Sequence, residues 1–297
     1  MPWFRSSWLH TVSGACVACA LAACSAPSAP PAAAALPAAT SDTFDARSDA
    51  PAPDAAPVGV PGGAVRQFLV HQYGELAQLQ GDWPGVPLAA DLGRRDAMRE
   101  VCAREAIGTP DAPAELVAVC GVPDGADHVD TALTDFFLLR AEGAGAGVAA
   151  EARQHMDMFG STGDVVDVSV RRFGPRVFGF VVEEGFTAQG VTVGSIAIVL
   201  PEGEGFGLAA HLRSSLDNLG AMAACAERGD CADDAGYDLG FTLEIDRRDA
   251  GAAVWPLRVR ESGEACGRRV ERTHQVPFDM GSGRWTVPAV LQRDGCE

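Results

Sequence analysis

The chain has 297 residues, with 23 basic against 40 acidic side chains and a net charge of −17. All of the basic residues are Arg, so a phosphate loop ending in Gly-Lys-Ser/Thr, a Schiff base to pyridoxal phosphate and a Ser-x-x-Lys acyl enzyme are excluded. The acidic field also excludes nucleic acid as a partner, because phosphate backbones are held by clustered cations.

Arg5, followed by the mostly apolar stretch Trp8 to Ala23, has the layout of an export signal. A membrane span needs roughly 20 apolar residues, and this stretch is interrupted by His10, Thr11 and Ser13. It closes on Leu21-Ala22-Ala23-Cys24, which resembles the lipobox of bacterial lipoproteins; Cys16 and Cys19 have Ser13 and Cys16 where that motif has Leu. The resemblance implies cleavage before Cys24, a thioether-linked diacylglycerol on Cys24 and an acylated amine. The lipid bilayer is then the first partner, since each buried methylene contributes about 0.8 kcal/mol and several chains anchor permanently. Ser25 resembles the residue found in lipoproteins passed to the outer membrane of Gram-negative bacteria, where the periplasmic face is the expected location. Removing residues 1–23 takes away Arg5 and no acid, leaving 22 cations against 40 anions, or −18.

From Ser25 to about Gly63 the chain is Ala and Pro with scattered Ser and Asp, a composition that cannot bury a core and predicts an extended tether. At about 3.1 Å per residue it would reach roughly 100 Å. Beyond it, Val65, Phe68, Leu69, Tyr73, Leu76 and Leu79 fall at helical spacing. A second helix is predicted from Asp91, as N-cap, through Ala106. Gly108, Pro110 and Pro113 then break the chain before the short apolar piece Glu115 to Cys120. Residues 64–122 therefore read as a helical subregion.

Residues 129–142 fit either a helix or a strand, and the turn chemistry of Gly143, Gly145 and Gly147 favours a strand with Val148 to His155 returning beside it. From Asp164 the apolar period is two. Val166, Val168 and Val170 alternate with polar residues, Gly174-Pro175 turns the chain, and Phe178, Phe180 and Val182 resume the pattern. The run Val191 to Leu200 changes phase at Gly194-Ser195, which predicts a bulge. Glu202-Gly203-Glu204-Gly205 reads as a hairpin turn, and strands are expected at Phe241 to Ile245, Leu257 to Val259 and Val270 to Val276. The expected fold is α+β and β-rich: an N-terminal helical subregion, then a mainly antiparallel sheet over 131–293 forming a sandwich or partial barrel. One domain over 64–297 is enough.

With Cys24 acylated, Cys102, Cys120, Cys225, Cys231, Cys266 and Cys296 remain in the domain, an even number that reads as three disulfides. Fifteen pairings are possible; nearest neighbours are favoured, 102 with 120, 225 with 231 and 266 with 296. No Cys-x-x-Cys occurs, which argues against zinc and thioredoxin-like redox chemistry.

Zinc hydrolase signatures and Gly-x-Ser-x-Gly are absent from the domain. The best polar cluster is His211 with Asp217 and Asn218, read either as a dispersed catalytic site or as a turn closed by side-chain to backbone hydrogen bonds. Asp230, Asp233, Asp234 and Asp238 could hold calcium on a loop pinned by a disulfide, although their spacing fits a solvated acidic loop better. Glu183 and Glu184 are consecutive on a strand, point to opposite faces and cannot form an acid and base pair. Arg268, Arg269, Arg272 and Arg284 with Trp285 make the most basic part of the molecule, a candidate interface whose bland reading is a solvated strand face. The expected function is a membrane-anchored envelope lipoprotein with a non-catalytic protein- or ligand-binding domain. No cofactor is expected; an envelope or imported protein is the expected partner, including a basic toxin or hydrolase that an acidic inhibitor would cover. The alternatives are an exported hydrolase near His211 and Asp217, and a calcium-dependent binding module.

Overall fold

Gly74 decides where the first helix stops. Helix α1 (Gly62–Tyr73) buries Val65, Leu69 and Tyr73 at the expected spacing. Gly74 then takes φ +94°, and the chain turns away before Leu76, which is exposed. The computed structural model describes residues 56–88, 92, 95–127, 130–143, 147–160, 166–229, 231 and 235–296, all within one unit, Pro51–Glu297. The export signal, Cys24, most of the Ala/Pro segment and the expected N-cap Asp91 lie outside the described residues. The tether expected to run to Gly63 ends earlier. Val58 donates its amide to Gly108 and accepts one from Ala114, and Val60 is buried, so the domain has begun by Val58.

The predicted second helix is a strand. Sheet A runs β1 (Trp83–Gly85), β2 (Ala97–Ala106), β3 (Ala114–Pro123), β4 (Ala132–Glu142) and β5 (Gly147–Phe159), in that order and antiparallel throughout. Residues 97–106 are rich in helix formers, but helix propensity is a weak prior that pairing on both flanks outweighs here. Alternation was hidden because the β2–β3 register shifts between Val101 and Ala103, leaving Cys102 in the bulge. Glu115 to Cys120 lies within β3, between β2 and β4. Both β3 and β4 are buried along most of their length, so they carry apolar runs in place of alternation.

Sheet B is a second antiparallel meander: β6 (Asp167–Arg172), β7 (Phe178–Ala188), β8 (Val191–Glu202), β9 (Gly205–Asp217), β10 (Tyr237–Ile245), β11 (Leu257–Ala265) and β12 (Arg268–Val276). The expected strands, the Gly174-Pro175 turn, the Glu202 hairpin and the bulge at Gly194/Ser195 are all present. Helix α2 (Leu219–Arg228), between β9 and β10, had no counterpart among the expected elements and buries none of its residues. After β12 the chain forms a small hairpin, β13 (Phe278–Asp279) with β14 (Arg284–Trp285), and a 3₁₀ turn at Ala289–Gln292.

Three apolar layers follow. Phe136 and Phe159 of sheet A meet Phe180 and Phe206 of sheet B, with the Phe136 and Phe180 rings 4.6 Å apart. On its other face, sheet A packs Val117, Val119, Phe137 and Leu139 against α1. The other face of sheet B gathers Ile196, Ile198, Phe241 and Val259 beneath Trp285 and Leu291 of the C-terminal segment. The sheets are not closed into a barrel: β6 and β12 remain the edges of sheet B. The result is the expected β-rich α+β fold.

The three disulfides join Cys102 to Cys120, Cys225 to Cys231 and Cys266 to Cys296, as expected. The first ties neighbouring strands, and the third fastens the C-terminal segment to the β11–β12 turn across 30 residues. Loop closure over that span contributes about 3–4 kcal/mol on the chain-entropy model. Three bridges fit an oxidising, exported environment.

Candidate functional site

Helix α1 covers only part of the face of sheet A on which it lies. Between its uncovered flank and β5, the last strand of the sheet, runs an open groove of about 1010 Å³. The α1 side is lined by Ala64, Gln67, Phe68, His71 and Glu75, with Leu88 from the following loop, and the far side by Glu142, Val148 and Arg153. The spacing that buries Val65, Leu69 and Tyr73 leaves Ala64, Gln67 and His71 on the open side, and Glu75 borders the groove from the turn after Gly74. Leu88 donates its amide to the Gln72 carbonyl, 2.7 Å, which fixes the loop against the helix, yet its side chain is 61% exposed. The Phe68 ring stands edge-on to Phe137 at 5.3 Å. An apolar floor with a carboxylate at either side is the result.

The groove wall is fixed by a buried polar cluster that draws on four elements. The Asp135 carboxylate of β4 is fully buried. Its Oδ2 accepts from Tyr73 Oη of α1 at 2.7 Å and from Arg99 Nη1 of β2 at 3.1 Å, and its Oδ1 lies 2.6 Å from His155 Nδ1 of β5. Arg99 spends its other donors on the carbonyls of Gly85, at 3.1 Å, and Arg95, at 3.3 Å. To reach Asp135 it must cross β3, and it does so over Gly121, where an added Cβ would stand 3.1 Å from Arg99 Cγ. Burial first, then the charge of Asp135 and its hydrogen bond, push the Tyr73 phenol well above its usual range, so Tyr73 stays a donor. The Tyr73 bond ties the C-terminal end of α1 to sheet A, and the Arg99 and His155 bonds fix its acceptor across β2, β4 and β5.

His155 backed by Asp135 has the base-and-orienter geometry found in hydrolases. No serine or cysteine side chain is among its hydrogen-bond partners within the described residues, and its side chain is only 14% exposed. The arrangement is better suited to holding the groove than to reacting.

A second buried carboxylate lies under the C-terminal segment. Glu261 of β11 meets His274 Nε2 of β12 at 2.8 Å and accepts from Arg293, whose guanidinium lies over Phe241. Burial raises the Glu261 pKa, but the hydrogen bonds from His274 and Arg293 outweigh it and hold the carboxyl below its ordinary value. Arg213 of β9 clamps the same segment by donating to the Arg293 carbonyl and pairing with Asp294.

The residues expected from sequence fare differently. His211 and Asp217 sit six residues apart on one strand, β9, hence about 20 Å from each other, and make no pair. His211 lies instead 3.5 Å from Glu184. Asp217 accepts from the Leu219 amide, while Asn218 bonds the Ala235 carbonyl and the Tyr237 amide. The cluster is thus a turn closed by side-chain to backbone bonds. Of the calcium candidates, Asp230, Asp233 and Asp234 lie outside the described residues, and Asp238 is on β10 opposite Asp217 and Glu264.

The expected basic interface does not form as one face. Trp285 is 4% exposed, donates its indole N–H to the Trp255 carbonyl and packs on Phe173 and Phe278. Arg269 projects from the opposite side of β12 to Arg268 and Arg272, and faces Glu271, while Arg284 stands opposite Asp279 on the small hairpin. Strand alternation divides the arginines, and the aromatic belongs to the core.

Tyr73, Arg99, Asp135 and Glu261 were not singled out from sequence. A signal did exist for one of them: Asp135 interrupts the apolar run Ala132 to Leu139, and a carboxylate on a strand buried on both faces must find donors. Its partners, 20, 36 and 62 residues away, leave no local trace. No protein-family model, curated protein or solved structure matches the chain.

Proposed function

We propose that the chain is an exported lipoprotein, anchored through Cys24 and carrying a binding domain that holds an extended, basic segment of a protein partner in the α1–β5 groove. The observation that carries this reading is the groove itself: an open, apolar-floored channel beside a sheet-edge strand, with its helix wall locked by the Asp135 cluster. Where it is not already bonded, as the Arg153 amide is to the Glu204 carbonyl, a terminal strand offers backbone groups to an extended chain, and the groove beside it can take alternate side chains. Glu75 and Glu142 outnumber Arg153 among the charged side chains that line the channel, in a molecule of net charge −17, which favours and steers a cationic partner.

Pull-down from envelope extract at low salt tests the groove. The wild-type domain is expected to retain a partner that high salt releases, and the triple variant Glu75→Arg, Glu142→Arg, Leu88→Arg to lose at least about tenfold of that capture. All three side chains border open groove, so the fold should persist, which circular dichroism checks. Equal capture by the triple variant, or none by the wild type, would overturn the reading.

The anchor is tested separately. Cys24→Ala is expected to abolish incorporation of labelled palmitate and to move the protein from the detergent phase to the aqueous phase. Labelling that persists in this variant would refute acylation at Cys24.

A further inference from the structure

A second cleft, apart from the α1–β5 groove, has the opposite electrostatic character. It opens where the β2–β3 connection of sheet A meets the β6–β7 turn of sheet B, and encloses about 400 Å³. Arg140 from β4, Arg172 from the end of β6 and Arg176 from the turn converge on it, and among the described residues no acidic side chain lines it. In a chain with 40 carboxylates and 23 guanidiniums, three arginines around one cleft that no carboxylate of the described residues lines is a local inversion of charge.

The cleft is built rather than incidental. Arg172 donates through Nε to the Gly174 carbonyl at 3.0 Å and through Nη2 to the Pro175 carbonyl at 2.6 Å. Its guanidinium also lies over the rings of Phe178, at 5.7 Å, and Trp255, at 5.9 Å. Two aromatic faces and two carbonyls hold the plane of this side chain fixed, so Arg172 is a rigid part of the cleft wall beside Arg140 and Arg176. Arg140 is oriented by Glu151 across the β4–β5 pair, and Arg176 is exposed on the β6–β7 turn. Phe178, Ile107 and Pro110 supply apolar wall. The volume falls within the lower part of the range of small-molecule sites, about 300–1,000 Å³.

We propose that this cleft binds a small molecule bearing an oxyanion, phosphate or carboxylate, on an apolar body, with Arg176 and Arg140 meeting the oxyanion and Phe178 the body. The guanidinium fork matches both oxyanions, so the chemistry alone leaves the two open. The site is independent of the α1–β5 groove, and the triple groove variant should bind its ligand normally.

Calorimetric titration of the whole soluble domain at low ionic strength, with inorganic phosphate, phenyl phosphate and benzoate as separate probes, decides between them. Phenyl phosphate is expected to bind more tightly than inorganic phosphate, and comparison with benzoate shows which oxyanion is preferred. Arg176→Gln, an exposed residue whose loss should leave the fold intact, is expected to weaken binding about tenfold, and added salt to weaken it further. Arg171→Gln, a neighbour that does not line the cleft, should bind as the wild type. Absence of saturable binding by all three probes at millimolar concentration would overturn the proposal. So would binding that Arg176→Gln leaves unchanged, or that Arg171→Gln reduces equally.

Discussion

Asp135→Ala is expected to destabilise the domain by about 3–5 kcal/mol, the cost of removing one partner from a buried ionic cluster and stranding the other. Arg99 would keep its carbonyl contacts but lose its counter-charge inside sheet A, and Tyr73 would lose the acceptor that fixes the end of α1. Urea unfolding followed by circular dichroism measures the change, and a loss under about 1 kcal/mol would show that the cluster does not hold the helix. The matched apolar replacement, Arg99→Met with Asp135→Leu and Tyr73→Phe, is expected to recover much of the loss, because no buried charge is left unpaired. If the α1–β5 groove is the binding surface, the single variant should also weaken partner capture at temperatures where the domain is still folded, since the wall it pins is the helix.

Glu261→Ala carries the second large expected effect, again about 3–5 kcal/mol near neutral pH, because Arg293 is almost fully buried and loses its counter-charge. Its distinguishing feature is pH dependence. The folded-state pKa of Glu261 lies below the unfolded value, so as pH falls the unfolded chain takes up the proton first. The stabilisation is therefore complete above the ordinary Glu range, near about 4.3, and is lost as pH falls through the folded-state value. Glu261→Gln is expected to be less stable than the wild type at pH 7 and to lose less stability between neutral and acid pH. Unfolding curves across that range measure both, and parallel pH profiles for the two proteins would refute the assignment. The affected region should be the C-terminal segment, held as it is by Arg293, Arg213 and the Cys266–Cys296 bridge.

Strands that face a core on one side and water on the other were legible in the sequence, because alternation records the two environments directly. Val168 and Val170, and Leu257 and Val259, are of this kind. Even the irregular step at Gly194-Ser195 could be read from the phase of the apolar residues around it. Sheet A was harder for two opposite reasons. Its central strands are buried on both faces and so lose alternation, and β2 is made of helix-forming residues with a bulge that breaks its phase. In each case the deciding factor was which neighbours the segment acquires, and a local window does not contain them.

The candidate sites follow the same division. Cysteine proximity was enough to pair Cys102 with Cys120, Cys225 with Cys231 and Cys266 with Cys296, because each pair closes a short loop. His211 and Asp217 looked like a pair because they are near in sequence, yet an extended strand carries residues six apart far from each other. Asp135 showed only as a charge in an apolar run. Arg140, Arg172 and Arg176 were scattered over two sheets until the sheets packed.

By itself, then, the sequence determined the β-rich class, the disulfide framework, the acidic character and the absence of lysine chemistry, all properties of composition, spacing and period. The tertiary structure decided which charges are buried together, where an acidic molecule gathers its arginines, and which strand edge is left beside a groove. Those depend on contacts between residues tens of positions apart, and only closure of the two sheets and the helix over one another brings such residues within hydrogen-bond range.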